Sequence, residues 1–503
     1  MDIYDLYKPF RNQLRKLALR PSLHRIWAYQ RGVDTSGVLR LRLHGGQWIH
    51  IYVWELLLLC REIVLHAAGS DDALASANGL VSLVNHIRRI DEQISASTVA
   101  SGASAMQALH PIIHKQARWQ HVRYEAILFR AFHIYDAPEL APIVDQTMGL
   151  SVRAMYTLAM AIGGAARQVS YTNAAQDYEA FKVSHGMRDA FFQHVGATAS
   201  QLRNELQEVP QQYDERWAFT WNALEKYPLI NLDGSGSPRF FCPFPDLLLR
   251  RVSEGLFYDL LNSTASFGDK YGRAFERYVG LVLNEVFRGG EFVVLGEQPY
   301  KVNGSIRHGV DWIVGDATAN IFMECKARRL KQQAKEFADG EALRRSLEDL
   351  ARAIVQLYRN IDDALKGYAN WRPNGLPIFP FVVTYEDWYL FAPHVVDQLF
   401  EYVRCQLAEA GLAQSLVETM PFFVTSISEF EKAGQAIAHL GIQRFCAARA
   451  ISEYRHFGLG SFASTAFQNE DISYRPLLQE SWRAIFSHLP HILEPLSVAN
   501  TGA

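Results

Sequence analysis

Three charged residues stand inside apolar segments in the second half of the chain. Asp311 lies early in HGVDWIVG, and Glu324 and Lys326 lie two residues apart in ANIFMECKAR. Charged side chains rarely enter a protein interior unless they are paired or hold a metal. Because side chains alternate along a strand, Glu324 and Lys326 project to the same face. Their types and spacing therefore indicate one shared site.

The chemistry of this site depends on how the two segments pair. The run GDATAN at 315–320 can turn the chain back, which lays the segments antiparallel and brings Asp311 to Glu324. Two carboxylates at that separation suit a hard divalent cation, Mg²⁺ or in its place Mn²⁺. Such a cation activates a bound water, and Lys326 can orient or deprotonate that water and stabilise a phosphorane-like transition state. The alternative is a surface hairpin in which Glu324 and Lys326 form an ion pair.

The surrounding elements would have to hold these residues in place. DKYGRAFERYVGLVLNEVF reads as an amphipathic helix, followed by strands in EFVVLGEQPYKV, HGVDWIVG and ANIFMECKAR. A long helix with one apolar stripe is predicted over 337–368, and LPIFPFVVTYEDWYLF supplies the next strand or strand pair. A strand, a long helix and another strand favour a right-handed crossover. The prediction is a mixed α/β sheet flanked by helices in the order αβββαβ.

An acid followed by Glu-x-Lys on a strand, in this order of elements, resembles the PD-(D/E)xK or restriction-endonuclease-like superfamily of nucleases. The resemblance covers 270–384 and implies a Mg²⁺-dependent endonuclease core. It implies that Glu276, in YGRAFERYV, joins Asp311 and Glu324 at the metal, and that Lys326 completes the catalytic set. Val310 stands where the family's name has a proline, a position that varies in the superfamily.

Other residues near this core are candidates for binding nucleic acid. Side chains after the Glu-x-Lys strand could meet the phosphate backbone: Arg328, Arg329, Lys331 and Lys335. The alternative is a solvated basic start of a helix. Related nucleases sometimes use a glutamine near the site, a position that Gln356 would fill, although the pattern favours an exposed helix residue there. His308 and Gln298 could reach the site from neighbouring strands.

The pattern along the chain predicts three parts. Helical spacings dominate 1–215, which we expect to be a helical domain for sensing or for binding a substrate or partner. A connecting hairpin and an apolar helix are predicted over 216–265. The nuclease-like domain with a C-terminal extension is predicted over 266–495.

Composition bounds the protein class. The chain has 503 residues, a formal charge of −3 and five scattered cysteines, which excludes a generally basic nucleic-acid binder and favours a reducing cytoplasm. The N-terminus carries acids and no apolar core of a signal peptide. WIHIYVWELLLLCREIVLHAAG is interrupted by His50, Glu55 and Arg61, so a buried helix is predicted rather than a membrane span.

These observations predict a cytoplasmic metal-dependent nuclease that acts on DNA, with RNA not excluded. One site cuts one strand, so cleavage of both strands calls for a homodimer or two sequential nicks. A large additional domain also fits a bacterial effector of anti-phage or anti-plasmid defence with a partner protein, by analogy of architecture alone. The alternatives are a non-catalytic nucleic-acid-binding or assembly subunit and a repair or recombination nuclease.

Overall fold

The computed structural model describes residues 2–43, 45–100, 110, 112–114, 116–120, 124–208, 217–219, 221–234, 236–331, 334–335, 340–390 and 392–487. The chain divides into two compact units. The first unit comprises 1–108, 112–267 and 482–503, and the second comprises 109–111 and 268–481.

The first unit is built mainly from helices. Its α-helices span Ile3–Leu14, Leu19–Gln30, Val53–His66, Ala77–Ala100, Tyr124–Tyr135, Ala141–Met148, Val152–Ala166, His185–Val195, Ala199–Glu208, Pro245–Arg250 and Leu256–Leu260. A π-helical turn, Arg251–Gly255, joins the last two, so the predicted apolar helix after residue 245 is present. Short 3₁₀ turns lie at Ala73–Ala75, Ala117–Trp119, Glu179–Phe181, Trp217–Phe219 and Ala223–Glu225.

The first unit also contains strands that the helical pattern did not predict. β1 (Val38–Arg42) and β2 (Trp48–Tyr52) form an antiparallel hairpin. A second sheet has the order β3-β6-β5-β4, with strands at Tyr171–Asn173, Arg239–Phe241, Leu229–Asn231 and Gly196–Thr198. The segment predicted as a connector, 216–265, is part of this unit because β5 and β6 complete a sheet begun before residue 200.

The second part of the most apolar run of the chain forms the helix Val53–His66 and is buried, as predicted. Residues 53–65 are all buried in the core of the first unit. The preceding residues form β2 rather than helix. Within the described residues, no helix has the length and apolarity needed to cross a membrane.

The second unit has a five-stranded mixed sheet at its centre. The strand order is β13-β12-β11-β10-β7, with strands at Phe423–Ser426, Ile378–Thr384, Asn320–Lys326, Trp312–Gly315 and Val293–Gly296. β10 is antiparallel to both β7 and β11, whereas β11, β12 and β13 are parallel. A separate hairpin, β8 (Tyr300–Val302) and β9 (Ser305–Arg307), is inserted between β7 and β10.

Helices connect and flank this sheet. They span Phe267–Val286, Glu341–Leu365, Pro393–Glu409, Leu416–Thr419, Ile427–Leu440, Ile442–Arg449 and Leu459–Ala466, with a 3₁₀ turn at Ser452–Tyr454. The helix Gln479–Ile485 contains the boundary at residue 482, where the chain returns to the first unit. The Glu341–Leu365 helix is the predicted crossover between β11 and β12, and the first predicted residues, 337–339, lie outside the described residues. The mixed helix-and-sheet class agrees with the sequence prediction, whereas five strands, not three, stand between the Phe267–Val286 and Glu341–Leu365 helices, because the β8–β9 hairpin is inserted. The predicted strand EFVVLGEQPYKV is wrong as a single strand, because the chain leaves the sheet after Gly296 and pairs again only in the hairpin.

Candidate active site

The strand register places Asp311 opposite Glu324. Trp312 pairs with Met323 across β10 and β11, so the preceding residue, Asp311, stands level with Glu324. Asp311 accepts a hydrogen bond at Oδ2 from the backbone N–H of Cys325, at 2.6 Å. The antiparallel pairing expected from the GDATAN turn is confirmed.

Glu324 and Lys326 are in direct contact. The Lys326 ammonium donates to Glu324 Oε1 over 2.6 Å. Glu324 is only 3% exposed, whereas the Lys326 side chain is 30% exposed. The other carboxylate oxygen, Glu324 Oε2, is buried and has no hydrogen-bond partner. A buried carboxylate oxygen without a donor is unfavourable unless a cation or water meets it.

Glu276 is brought to the site by its helix, Phe267–Val286. Trp312, at the start of β10, donates from Nε1 to the carbonyl of Glu276 over 3.2 Å. One turn further on, Gly280 leaves the space that the Trp312 ring fills, since a Cβ there would come within 2.2 Å of the ring. This close approach of helix and strand fixes the half-buried Glu276 beside the carboxylates of β10 and β11.

The carboxylates of this site raise one another's pKa. Burial raises the pKa of Asp311 well above its ordinary value, and the charges of Glu324 and Glu276 raise it further. Burial also raises the pKa of Glu324, although Lys326 partly offsets this. The pKa of Glu276 is raised by burial first and then by Glu297 and Glu324. Like charges held together in this way favour a cation among them.

Glu297 is a fourth acid at this site, and sequence reasoning missed it. Trp312 pairs with Gly296 across β10 and β7, so the next residue, Glu297, stands level with Asp311. Its charge raises the pKa of both Glu276 and Glu324. Its carboxylate contacts His308 Nδ1 at 2.8 Å, which places His308 at the rim of the site. An acid directly after a short strand was the available signal, but its relevance depends on which strand pairs with β7.

The basic residues after β11 have mixed surroundings. Arg328 pairs with Asp349, and Lys335 pairs with Glu386. The guanidinium of Arg329 lies over the Tyr385 ring, 4.7 Å from its centroid. Three further candidates, namely Lys331, Gln356 and Gln298, are exposed to solvent.

The carboxylates of this site meet the chemical requirement of a divalent cation but not its spacing requirement. Carboxylate oxygens are the ligands that Mg²⁺ and Mn²⁺ prefer, and Glu324 Oε2 is free of competing donors. The ligand atoms of Asp311, Glu324 and Glu276 are not all within 4.8 Å of one another. In the described part of the chain, the group that meets this distance is exposed and lies in the first unit: Asp177, Glu179 and His185. The oxygen ligands and the burial of Asp311, Glu324 and Glu276 thus suit a cation. The exposed group of Asp177, Glu179 and His185 has the closer spacing of ligand atoms.

Comparisons of this chain with protein-family models, with curated proteins and with solved structures each returned no match. The chemistry of the protein is therefore to be inferred from its own residues.

Proposed function

We propose that this chain is a metal-dependent nuclease of the PD-(D/E)xK type that hydrolyses phosphodiester bonds in DNA. The observation that carries the proposal is the buried carboxylate of Glu324 on β11, with Asp311 level with it at the residue before β10 and the Lys326 ammonium in contact with Glu324. The order of helix, strands, long helix and strand around them supports it.

Asp311 and Glu324 would hold Mg²⁺, or Mn²⁺ in its place, and Glu276 would complete or support the site. The unpartnered Glu324 Oε2 and the mutually raised pKa values of these acids support this role. When bound, the cation supplies an activated water and neutralises charge on a phosphoryl oxygen.

Lys326 would act on the attacking water. Its hydrogen bond to Glu324 keeps the ammonium beside the carboxylates instead of out in solvent. From there it can hydrogen-bond the water and offset the negative charge that grows on the scissile phosphate.

A second candidate function is a non-catalytic subunit that binds nucleic acid or assembles with a partner. The ion pair of Lys326 with Glu324 favours it, because this pair matches a purely structural role of the two charges. A protein of this kind would have the nuclease-like fold but would not cleave nucleic acid.

DNA is the proposed substrate because most members of the resembled superfamily act on it. Exposed Lys331 and Arg328 at the end of β11 would contact phosphates. Cutting both strands requires a homodimer or two nicks, since we assign one site to each chain. A role in anti-phage or anti-plasmid defence is proposed on architecture alone, and a repair role stays an alternative.

The decisive experiment incubates wild type, Asp311→Asn and Lys326→Ala with supercoiled plasmid, linear duplex, single-stranded DNA and RNA. Each substrate is tested with Mg²⁺, Mn²⁺ or EDTA. We expect cleavage that requires metal and falls by on the order of 10³-fold in both variants, since Asp311→Asn removes a proposed metal ligand and Lys326→Ala removes the cation that offsets the charge on the phosphate. Lys366→Ala, which removes an exposed lysine paired with Asp362, is the matched control and should cut like wild type.

Cleavage that persists in EDTA, or that survives in Lys326→Ala, would contradict this assignment of roles. Binding of DNA without cleavage by a folded wild type, under every metal condition, would favour the non-catalytic subunit.

A further inference from the structure

The inserted hairpin β8–β9 has one anchored face and one free face. Its strands are joined by the two-residue turn Asn303-Gly304, where both residues have positive φ, at 50° and 84°. This turn type matches the twist of an antiparallel ribbon. Residues paired across an antiparallel ribbon share a face, so Tyr300 and Arg307 lie on one face and Lys301 and Ile306 on the other.

The anchored face is held by the Glu341–Leu365 helix. The hydroxyl of Tyr300 donates to Asp363 over 2.9 Å, and Arg307 donates to the same carboxylate over 2.6 Å. Val302 is buried on this face. The ribbon is therefore a positioned element that projects from the fold.

The free face is exposed and carries no negative charge. Ile306 is 67% exposed, and Lys301 opposite it is also exposed. The whole segment 298–310 contains no acidic residue, in a chain whose formal charge is −3. A basic and apolar ribbon without acids complements a polyanion that also offers apolar groups.

The two ends of this segment join it to the candidate active site. The residue before it is Glu297, directly after β7, and the residue after it is Asp311, directly before β10, and the pairing of Gly296 with Trp312 brings these two acids level. A molecule bound to the ribbon would therefore lie near the carboxylates of Glu297 and Asp311.

We propose that the β8–β9 ribbon enters the major groove of duplex DNA and positions the duplex on the active site. A two-stranded ribbon fits this groove, which is about 12 Å wide and 8.5 Å deep. Three residues per strand extend roughly 10 Å, which matches that depth. The proposal rests on the nuclease function proposed above and adds the form of the substrate and the element that recognises it.

Each residue of the free face has a counterpart in the groove. Ile306 suits the methyl group of thymine, and Lys301 suits the O6 and N7 acceptors of guanine or a phosphate. Asn303, exposed at the turn, has the amide that pairs with adenine N6 and N7. Arg307 remains on the anchored face, where Asp363 neutralises it.

The test uses methylation interference with the Asp311→Asn chain in EDTA, so that binding is measured without cleavage. Dimethyl sulfate marks guanine N7 in the major groove and adenine N3 in the minor groove of one duplex pool. We expect guanine N7 methylation to reduce binding and adenine N3 methylation to have no effect. Adding Lys301→Ala and Ile306→Ala should abolish the N7 interference and lower duplex affinity about tenfold in fluorescence anisotropy.

The matched control replaces an exposed lysine and an exposed isoleucine elsewhere, Lys8→Ala with Ile451→Ala, and should bind like the parent. In a chain with the native Asp311, the Lys301→Ala, Ile306→Ala variant should keep its cleavage of single-stranded DNA and lose that of duplex.

Interference at adenine N3 alone, unchanged duplex affinity in the ribbon variant, or an equal loss on single strands would each overturn the ribbon's role. These outcomes are separate from the failure of the nuclease proposal, which would show as absent metal-dependent cleavage by wild type on every substrate.

Discussion

Each unit has a buried glutamate beside a cation, but Glu62 in the first unit has a donor at both of its oxygens, whereas Glu324 in the second unit has one at Oε1 alone. Glu62 lies on the buried Val53–His66 helix, and its two oxygens accept hydrogen bonds from Arg61, at 2.7 Å, and from the Tyr7 hydroxyl, at 2.7 Å. Arg61 also donates to the carbonyl of Trp217 over 3.3 Å. His66 closes the network through the Tyr7 hydroxyl. This cluster has the features of a structural ion pair.

The carboxylates of the second unit are arranged in the opposite way. Glu324 and Glu276 raise the pKa of Asp311, Glu297 raises the pKa of Glu276 and of Glu324, and Lys326 is the cation in contact with Glu324. Like charges in a buried site lower the stability of the fold. The comparison teaches that the burial of a charge does not by itself indicate function, whereas a buried charge left unmatched by the protein does.

The largest test of this difference replaces one buried acid in each unit. Glu62→Gln leaves the Arg61 guanidinium buried without its counter-charge, and we expect the free energy of unfolding to fall by about 3–5 kcal/mol. Asp311→Asn keeps an oxygen for the Cys325 N–H and removes a repelled charge. We expect it to raise the free energy of unfolding by roughly 1 kcal/mol at pH 8. Denaturant unfolding in EDTA measures both.

The sign for Asp311 follows from its raised pKa. The carboxyl stays protonated in the folded chain over a pH range in which the unfolded chain is ionised, so stability falls as pH rises through that range. The variant should therefore match wild type in acid and exceed it in alkali. Asp189, an exposed acid paired with Arg188, serves as the control, since Asp189→Asn should cost at most about 1 kcal/mol. A loss of stability in Asp311→Asn would mean that its charge is structural.

The sequence was sufficient to predict the centre of the candidate site because its signals are local. The turn at 315–320 and the alternation of side chains were enough to bring Asp311 to Glu324 and to place Lys326 on the face of Glu324. Glu297 could not be placed in the same way, because its position depends on the pairing of β7 with β10 across the inserted hairpin. Long-range pairing of this kind leaves no mark within a single segment.

The fold was predictable to a similar extent. The long crossover helix and the buried helix at 53–66 have strong periodicity, and both are present. β3 to β6 have three residues each, too few for an alternating pattern to stand out. The β8–β9 hairpin did have a local signal, since Asn-Gly between short apolar runs favours a two-residue turn. Reading 291–302 as one strand concealed it.

Binding of Mg²⁺ should change the free energy of unfolding less than the Glu62→Gln substitution does, and it should show which unit holds the cation. Mg²⁺ at about 100 times its dissociation constant should stabilise the folded chain by roughly 2.7 kcal/mol if it binds the folded state alone. We expect the rise in Tm to disappear in Asp311→Asn and to persist in Asp177→Asn, which removes an acid of the exposed group in the first unit. Differential scanning fluorimetry with and without Mg²⁺ measures this. Loss of the rise in Asp177→Asn alone would place the cation in the first unit.

The smallest effect concerns a buried acid of the second unit that lies outside the proposed metal site. Burial and the charge of Glu429 raise the pKa of Asp387 to about 7. Asp387 Oδ1 accepts a hydrogen bond from the backbone N–H of Tyr389 over 2.8 Å, which an asparagine in its place would keep. We expect Asp387→Asn to raise the free energy of unfolding by about 1 kcal/mol at pH 8.5 and to leave it unchanged at pH 4.

The pH window follows from the two pKa values. Between the ordinary pKa of an aspartate, near 4, and the folded value near 7, only the unfolded chain loses its proton, so stability falls as pH rises. Denaturant unfolding from pH 4 to pH 8.5 should show a shallower decline in the variant. The rise in Tm with Mg²⁺ should stay as in wild type, because this raised pKa has burial and Glu429 as its main causes and does not involve Asp311 or Glu324. A reduced response to Mg²⁺ in Asp387→Asn would mean that acids beyond β12 also contribute to the cation site.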